Sequence, residues 1–124
     1  MQKTLISGAV ISLVFAGAFF SPFASAHAHL RSSEPAAKAD VMQPQTSLTL
    51  TFTEDVEAAF SGVEIVDAQQ KTVASDKAIL DSKQHSKLIV NLAQPLATGS
   101  YQVNWHVLSV DGHKTKGSYR FNVK

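Results

Sequence analysis

The chain has 124 residues, with 11 basic and 10 acidic side chains, five histidines and no cysteine. That length holds one domain, and without a thiol it forms no disulfide, zinc–thiolate site or cysteine-held iron–sulfur cluster. A net charge of +1 lacks the basic excess that nucleic-acid binders gather on one face, so no nucleic-acid partner is expected.

Met1-Gln2-Lys3 opens the chain with a positive charge, and Leu5 to Phe20 then runs uncharged and largely apolar. Ser21-Pro22-Phe23 breaks that run, and Ala24-Ser25-Ala26 places small residues where a signal peptidase reads. The pattern predicts a secretory signal peptide over residues 1–26, cleaved after Ala26. A membrane anchor is the competing reading. A spanning helix needs about 20 apolar residues, and this run is shorter and carries Ser7, Gly8, Ser12 and Gly17. Cleavage leaves 124 − 26 = 98 residues and removes Lys3, so the formal charge becomes 10 − 10 = 0. It leaves no membrane span, keeps all five histidines and makes His27 the new N-terminus.

Residues 27–124 read as one all-β domain. His29 to Ser32 suggests an edge strand. Leu48, Leu50 and Phe52 then alternate with Thr49, Thr51 and Thr53. Val63 to Val66 is a shorter candidate, and Leu88, Val90 and Leu92 share a face of the next. Tyr101, Val103, Trp105 and Val107 share one face of a long strand, and Tyr119, Phe121 and Val123 one face of the last. Period two with β-branched and aromatic residues marks half-buried strands. Turn signals separate them at Glu34-Pro35, Gln43-Pro44-Gln45, Asp67 to Gln70, Ala97 to Ser100 and Asp111-Gly112, at the short spacing of a sandwich or barrel. The polar stretch Asp76 to Ser86 reads as an extended loop, and Pro35 to Val41 as the one stretch with room for a helical turn.

An N-terminal His27 offers a metal two donors, its α-amine and its imidazole Nδ1. An α-amine with a pKa near 8 loses its proton to a metal at little cost, and nitrogen-rich tetragonal sites suit Cu(II). The alternative is a frayed, solvated first residue. His29 adds two readings. It is either the third-position imidazole of a terminal His27-Ala28-His29 wrap around Cu(II) or Ni(II), through deprotonated backbone amides, or it points outward from an edge strand.

Val110-Asp111-Gly112-His113 lies between the two strongest strands. Asp-Gly is a favoured two-residue hairpin turn. Asp111 and His113 also offer a carboxylate and an imidazole that Gly112 lets approach one ion, and a rigid hairpin tip serves both readings. With the His27 chelate they make three nitrogens and one oxygen, a closed Cu(II) plane. Glu54, at the end of the Phe52 strand, is either an acceptor orienting a ligand or an exposed acid. His85 reads as solvated, His106 as a partly buried, hydrogen-bonded strand residue, and Trp105 as core.

The sequence resembles the CopC-type periplasmic copper-resistance proteins, and within them the YobA-like members. The resemblance rests on His27-Ala28-His29-Leu30 with Ser33-Glu34-Pro35-Ala36, and on Leu50-Thr51-Phe52-Thr53-Glu54. It extends from Gly99 to Trp105 through Asp111-Gly112-His113 to Gly117 and Phe121-Asn122-Val123. It implies an immunoglobulin-like Greek-key β-sandwich or barrel of about seven strands that binds one Cu(2+), as Cu(II), per chain in the periplasm. The implied ligands are His27 through amine and imidazole, Asp111 and His113, with Glu54 close by. A CopD-like inner-membrane copper transporter is the implied partner. Some family members carry a methionine-rich loop for Cu(I), whose softness suits thioethers. Here the stretch from Ala68 to Ser86 has no methionine, and Met42 is the only one after the signal, so a single Cu(II) site is expected.

Three functions follow from these residues. The first is a non-enzymatic copper carrier or buffer in homeostasis and resistance. The second is an oxidative copper enzyme, since an N-terminal histidine chelate also resembles the copper brace of lytic polysaccharide monooxygenases. Oxygen chemistry needs an open coordination position, which Asp111 would fill. The third is an adhesive sandwich that binds no metal.

Overall fold

The computed structural model describes residues 28–124, so the expected signal segment and His27 lie outside the described residues. Eight strands follow in order: β1 (Leu30–Glu34), β2 (Asp40–Val41), β3 (Ser47–Phe52), β4 (Gly62–Asp67), β5 (Ile79–Leu80), β6 (Lys87–Asn91), β7 (Gly99–Leu108) and β8 (Lys114–Val123). They form two four-stranded sheets, ordered β1-β3-β6-β5 and β2-β8-β7-β4. All pairs are antiparallel except β2 with β8. The chain crosses between sheets after β1, β2, β3, β4 and β6, consistent with a Greek-key sandwich.

Alternation sets which face each strand buries. Leu48, Leu50 and Phe52 from β3, Leu88 and Val90 from β6, and Tyr101, Val103, Trp105 and Val107 from β7 meet Tyr119, Phe121 and Val123 from β8 in one core. Phe52 and Trp105 join the two sheets edge to face, with ring centroids 5.1 Å apart, a geometry that adds about 0.5–1.5 kcal/mol beyond burial alone. The Tyr101 hydroxyl donates to the Ala97 carbonyl at 2.7 Å, the tyrosine corner that pins the connection entering such a strand.

Two local expectations differ from the structure. The segment before Val41 does turn, with Ala39 N–H donating to Ala36 O at 3.2 Å, but Lys38 at φ +67° makes the turn non-helical. Lys38 N–H donates to Arg120 O, Asn122 N–H donates to Ala39 O, and Asn122 Nδ2 donates to Asp40 Oδ1 at 2.8 Å. Cross-strand partners therefore take up the groups a helix would use, and β2 results. The polar stretch Asp76–Ser86 is not all loop, because Ile79 and Leu80 pair with Ile89 and Leu88 on the edge of β6. This strand stays at two residues because the Asp81 carboxylate then accepts from the Lys83 and Gln84 amides and turns the chain.

Register gathers five segments at one end of the sandwich. Leu30 opposes Phe52, Lys87 opposes Thr51, Gly62 opposes His106 and Leu108 opposes Lys114. That end therefore holds residues 28–29, the exit of β3 over 53–57, a short 3-10 turn (Ala58–Phe60), residues 81–86 and the β7–β8 hairpin.

Candidate metal centre

The hairpin tip is built around Ser109. Its N–H donates to His113 O at 2.9 Å, and Gly112 N–H donates to Ser109 O at 2.9 Å. Gly112 has φ +95° and Asp111 is not at positive φ. The loop is thus three residues, Val110 to Gly112, ending in a left-handed glycine, rather than the expected two-residue Asp-Gly turn, which needs positive φ at both positions. Ser109 is 1% exposed. Its hydroxyl donates to Asp111 Oδ1 and accepts from the His113 N–H at 3.2 Å.

Asp111 and His113 are brought together. His113 Nδ1 lies 3.1 Å from Asp111 Oδ1, with both side chains nearly half exposed. The Ser109 hydroxyl first, and the His113 ring second, hold the Asp111 carboxyl below the ordinary carboxylate range. It therefore stays an anionic donor into mild acid. Two donors at right angles on a first-row ion with bonds of about 2.0 Å stand about 2.8 Å apart. The Nδ1–Oδ1 pair is close to that spacing. Alternatively Asp111 accepts from Nδ1–H and leaves the lone pair on Nε2 for a metal, the usual carboxylate–histidine arrangement. In the first arrangement the hairpin presents a nitrogen and an oxygen donor; in the second it presents the Nε2 nitrogen, with Asp111 orienting the ring. Among the described residues no group of three or more histidine, aspartate or glutamate side chains converges as a metal site.

The other candidates fall around this pair. Ala28 is fully buried, and its carbonyl accepts from Thr115 Oγ1 at 2.7 Å, two residues beyond His113. The next residue, His29, has an exposed side chain. Its N–H donates to Thr53 Oγ1 at 2.9 Å, and Thr53 N–H donates to His29 O at 2.9 Å. A terminal wrap would need the His29 amide deprotonated and on the metal, and that amide is engaged with Thr53. Glu54 is half-buried and lies between Thr53 and Asp55, whose carbonyl accepts from Val110 N–H at 3.1 Å. It borders the hairpin without a hydrogen bond to another described residue. His85 is exposed, as expected, and its carbonyl accepts from Val56 N–H.

His106 departs from expectation, being exposed rather than partly buried. Its ring lies across Gly62, where a Cβ would meet Cε1 at 2.6 Å, and away from Asp111 on the outer face of β7. Three contributors went unread in the sequence: Ser109, Thr53 and Thr115. A serine two positions before an Asp-Gly was the available signal for the first, because short hydroxyl side chains organise turns locally. The two threonines carry no local signal.

Comparison with known proteins agrees with this architecture. The family model for the CopC domain matches residues 30–124. Protein YobA of Escherichia coli (strain K12) is 45% identical over 104 residues, covering 84% of each chain. The crystal structure of CopC from Methylosinus trichosporium OB3b superposes with a TM-score of 0.74 at 35% identity, covering 79% of this chain and 94% of that one. PcoC, a methionine-rich copper resistance protein from Escherichia coli, superposes at 0.72 with 29% identity, covering 80% and 100% respectively.

Proposed function

This chain belongs to the CopC domain family, and from that premise we propose that it is a periplasmic Cu(II)-binding protein, a carrier or buffer in copper homeostasis and resistance. One Cu(II) is held by the α-amine and imidazole of His27, exposed as the N-terminus by cleavage after Ala26, together with Asp111 and His113. The observation that carries this reading is the Asp111–His113 pair on a hairpin whose own second strand holds Ala28 through Thr115. The bond from residue 27 to Ala28 sets a spacing of about 3.8 Å between their Cα atoms, which supports a chelate at the hairpin end. Three nitrogens and a carboxylate make a tetragonal set suited to Cu(II). Copper is cargo, and a CopD-like inner-membrane transporter is the proposed recipient.

The test is a Cu(II) titration of protein beginning at His27, read by electron paramagnetic resonance. One equivalent binds with a three-nitrogen, one-oxygen signature. An additional residue before His27 weakens binding, and His113→Ala weakens it more than His29→Ala. The opposite order would identify the terminal wrap, and failure to bind one equivalent would leave a sandwich without a metal function.

A further inference from the structure

The peptide group joining Ala28 to His29 is held at both of its polar atoms by threonine hydroxyls from opposite sheets. Thr115 Oγ1, on β8, donates to the carbonyl at 2.7 Å. Thr53 Oγ1, just past β3, accepts from the N–H at 2.9 Å. The Thr53 N–H adds a third bond, to the His29 carbonyl, and the Ala28 methyl is fully buried in the core. Chain ends normally fray unless tied down. In a chain beginning at His27 this end is tied by two side chains that are not large contributors to the core, since Thr53 is exposed and Thr115 only half-buried.

We propose that Thr53 and Thr115 form a clamp that positions the N-terminal chelate of His27 over Asp111 and His113, an inference that rests on the amine-ligand reading above. The clamp acts in two ways. It fixes the origin of the first residue before copper arrives, so the chelate and the hairpin meet without ordering a loose terminus. It also points the His29 N–H at Thr53 Oγ1, a geometry that turns that nitrogen away from the competing terminal wrap. Positioning through outer contacts of this kind typically governs metal affinity by 10–100-fold.

The test uses protein beginning at His27 in a His29→Ala background, which removes the imidazole of the wrap and keeps the clamped backbone. Thr115→Val, Thr115→Ser and Thr53→Val are compared by competition titration with Cu(II), each with and without one additional residue before His27. Hydrogen exchange at the amide of position 29 is measured on the metal-free proteins. Thr115→Val and Thr53→Val are expected to speed that exchange and raise the Cu(II) dissociation constant by roughly 10–100-fold. Thr115→Ser restores both. In the extended proteins the same substitutions add no further loss, because the amine is already displaced.

Unchanged affinity in Thr115→Val, whether or not exchange quickens, overturns the clamp. An equal loss in the extended proteins also overturns it, since the effect would then be on the fold alone. If extension by itself leaves affinity unchanged, the amine-ligand reading fails independently of the threonines. With His29 restored, loosening the clamp moves the resonance signature from three nitrogens and an oxygen toward four nitrogens.

Discussion

Gly112→Ala tests whether the hairpin backbone is set for the proposed Cu(II) site. Gly112 sits at φ +95°, and a Cβ placed there would meet nothing within 4 Å. Any penalty is therefore conformational rather than steric with neighbours. An L-residue in the left-handed region costs roughly 1–2 kcal/mol, and the loop has two ways to answer it. If the metal-free loop keeps its shape, the strain appears as lost stability, at roughly 4–8 °C of melting temperature per kcal/mol for a domain of this size. If the loop relaxes, Ser109 loses its hold on Gly112 and His113, and the Asp111–His113 spacing changes. Copper must then restore the shape, and the strain appears as roughly 5–30-fold weaker binding. The two losses together amount to the same 1–2 kcal/mol, so the copper-loaded variant carries all of it. Melting of the metal-free and copper-loaded proteins, with a Cu(II) titration, separates the two shares. Gly112→Asn should lose less on both, because a short polar side chain enters the left-handed region more readily. A copper-loaded Gly112→Ala protein as stable as wild type would refute the reasoning, as would equal losses in the alanine and asparagine variants.

Ser109→Ala removes the main donor that lowers the Asp111 carboxyl, so its titration in metal-free protein, followed by carbon NMR, moves back up toward the ordinary carboxylate value. Because the folded value lies below the unfolded one, the carboxylate stabilises the hairpin above the unfolded pKa and loses that contribution as pH falls through the lowered value. The variant narrows that gap, and an unmoved titration would show that Ser109 does not set it. Tyr101→Phe breaks the bond to Ala97 and should cost about 1 kcal/mol in denaturant melts while leaving Cu(II) affinity as it was, because the corner lies at the far end of the sandwich. Gly117→Ala puts a Cβ 2.6 Å from Trp105 Cζ2, displacing the ring from Phe52. A loss of about 1–3 kcal/mol with an altered near-ultraviolet tryptophan band is expected, and an unchanged band would mean the ring does not lie there.

The sandwich was legible because four strands, β3, β6, β7 and β8, bury every second residue along much of their length, and a period of two survives whatever the neighbours do. The short pairs β2 and β5 were not. Two residues carry no period: β2 owes its pairing to the edge of the distant β8, and β5 to the edge of β6, the strand that follows it. Asp111 and His113 were legible as a pair two apart on a turn. The Thr53–Thr115 clamp was not, because the two residues are 62 positions apart and meet only through a third segment, Ala28-His29. His106 was misread for a simpler reason. Its facing away from Trp105 was evident, but the outer face beside Gly62 leaves its ring in solvent.

The hairpin loop was misjudged from local chemistry and recoverable from the core. Cross-strand partners share a face, so a one-residue slip exchanges every inward side chain for an outward one. A two-residue Asp111-Gly112 loop pairs Val110 with His113 and, carried down the ladder, Val103 with Arg120 and Trp105 with Ser118. That would bury an arginine opposite a core valine. The three-residue loop pairs Ser109 with His113, Trp105 with Gly117 and Val103 with Tyr119, as observed, and keeps Tyr101 on Phe121 with ring centroids 5.7 Å apart. The alternation of Tyr119, Phe121 and Val123 against Tyr101, Val103 and Trp105 thus decides the loop length against the strong local preference of Asp-Gly. It also decides the chemistry at the tip. Only in this register does Ser109 face inward directly across from His113, where one hydroxyl can hold both the Asp111 carboxylate and the His113 amide.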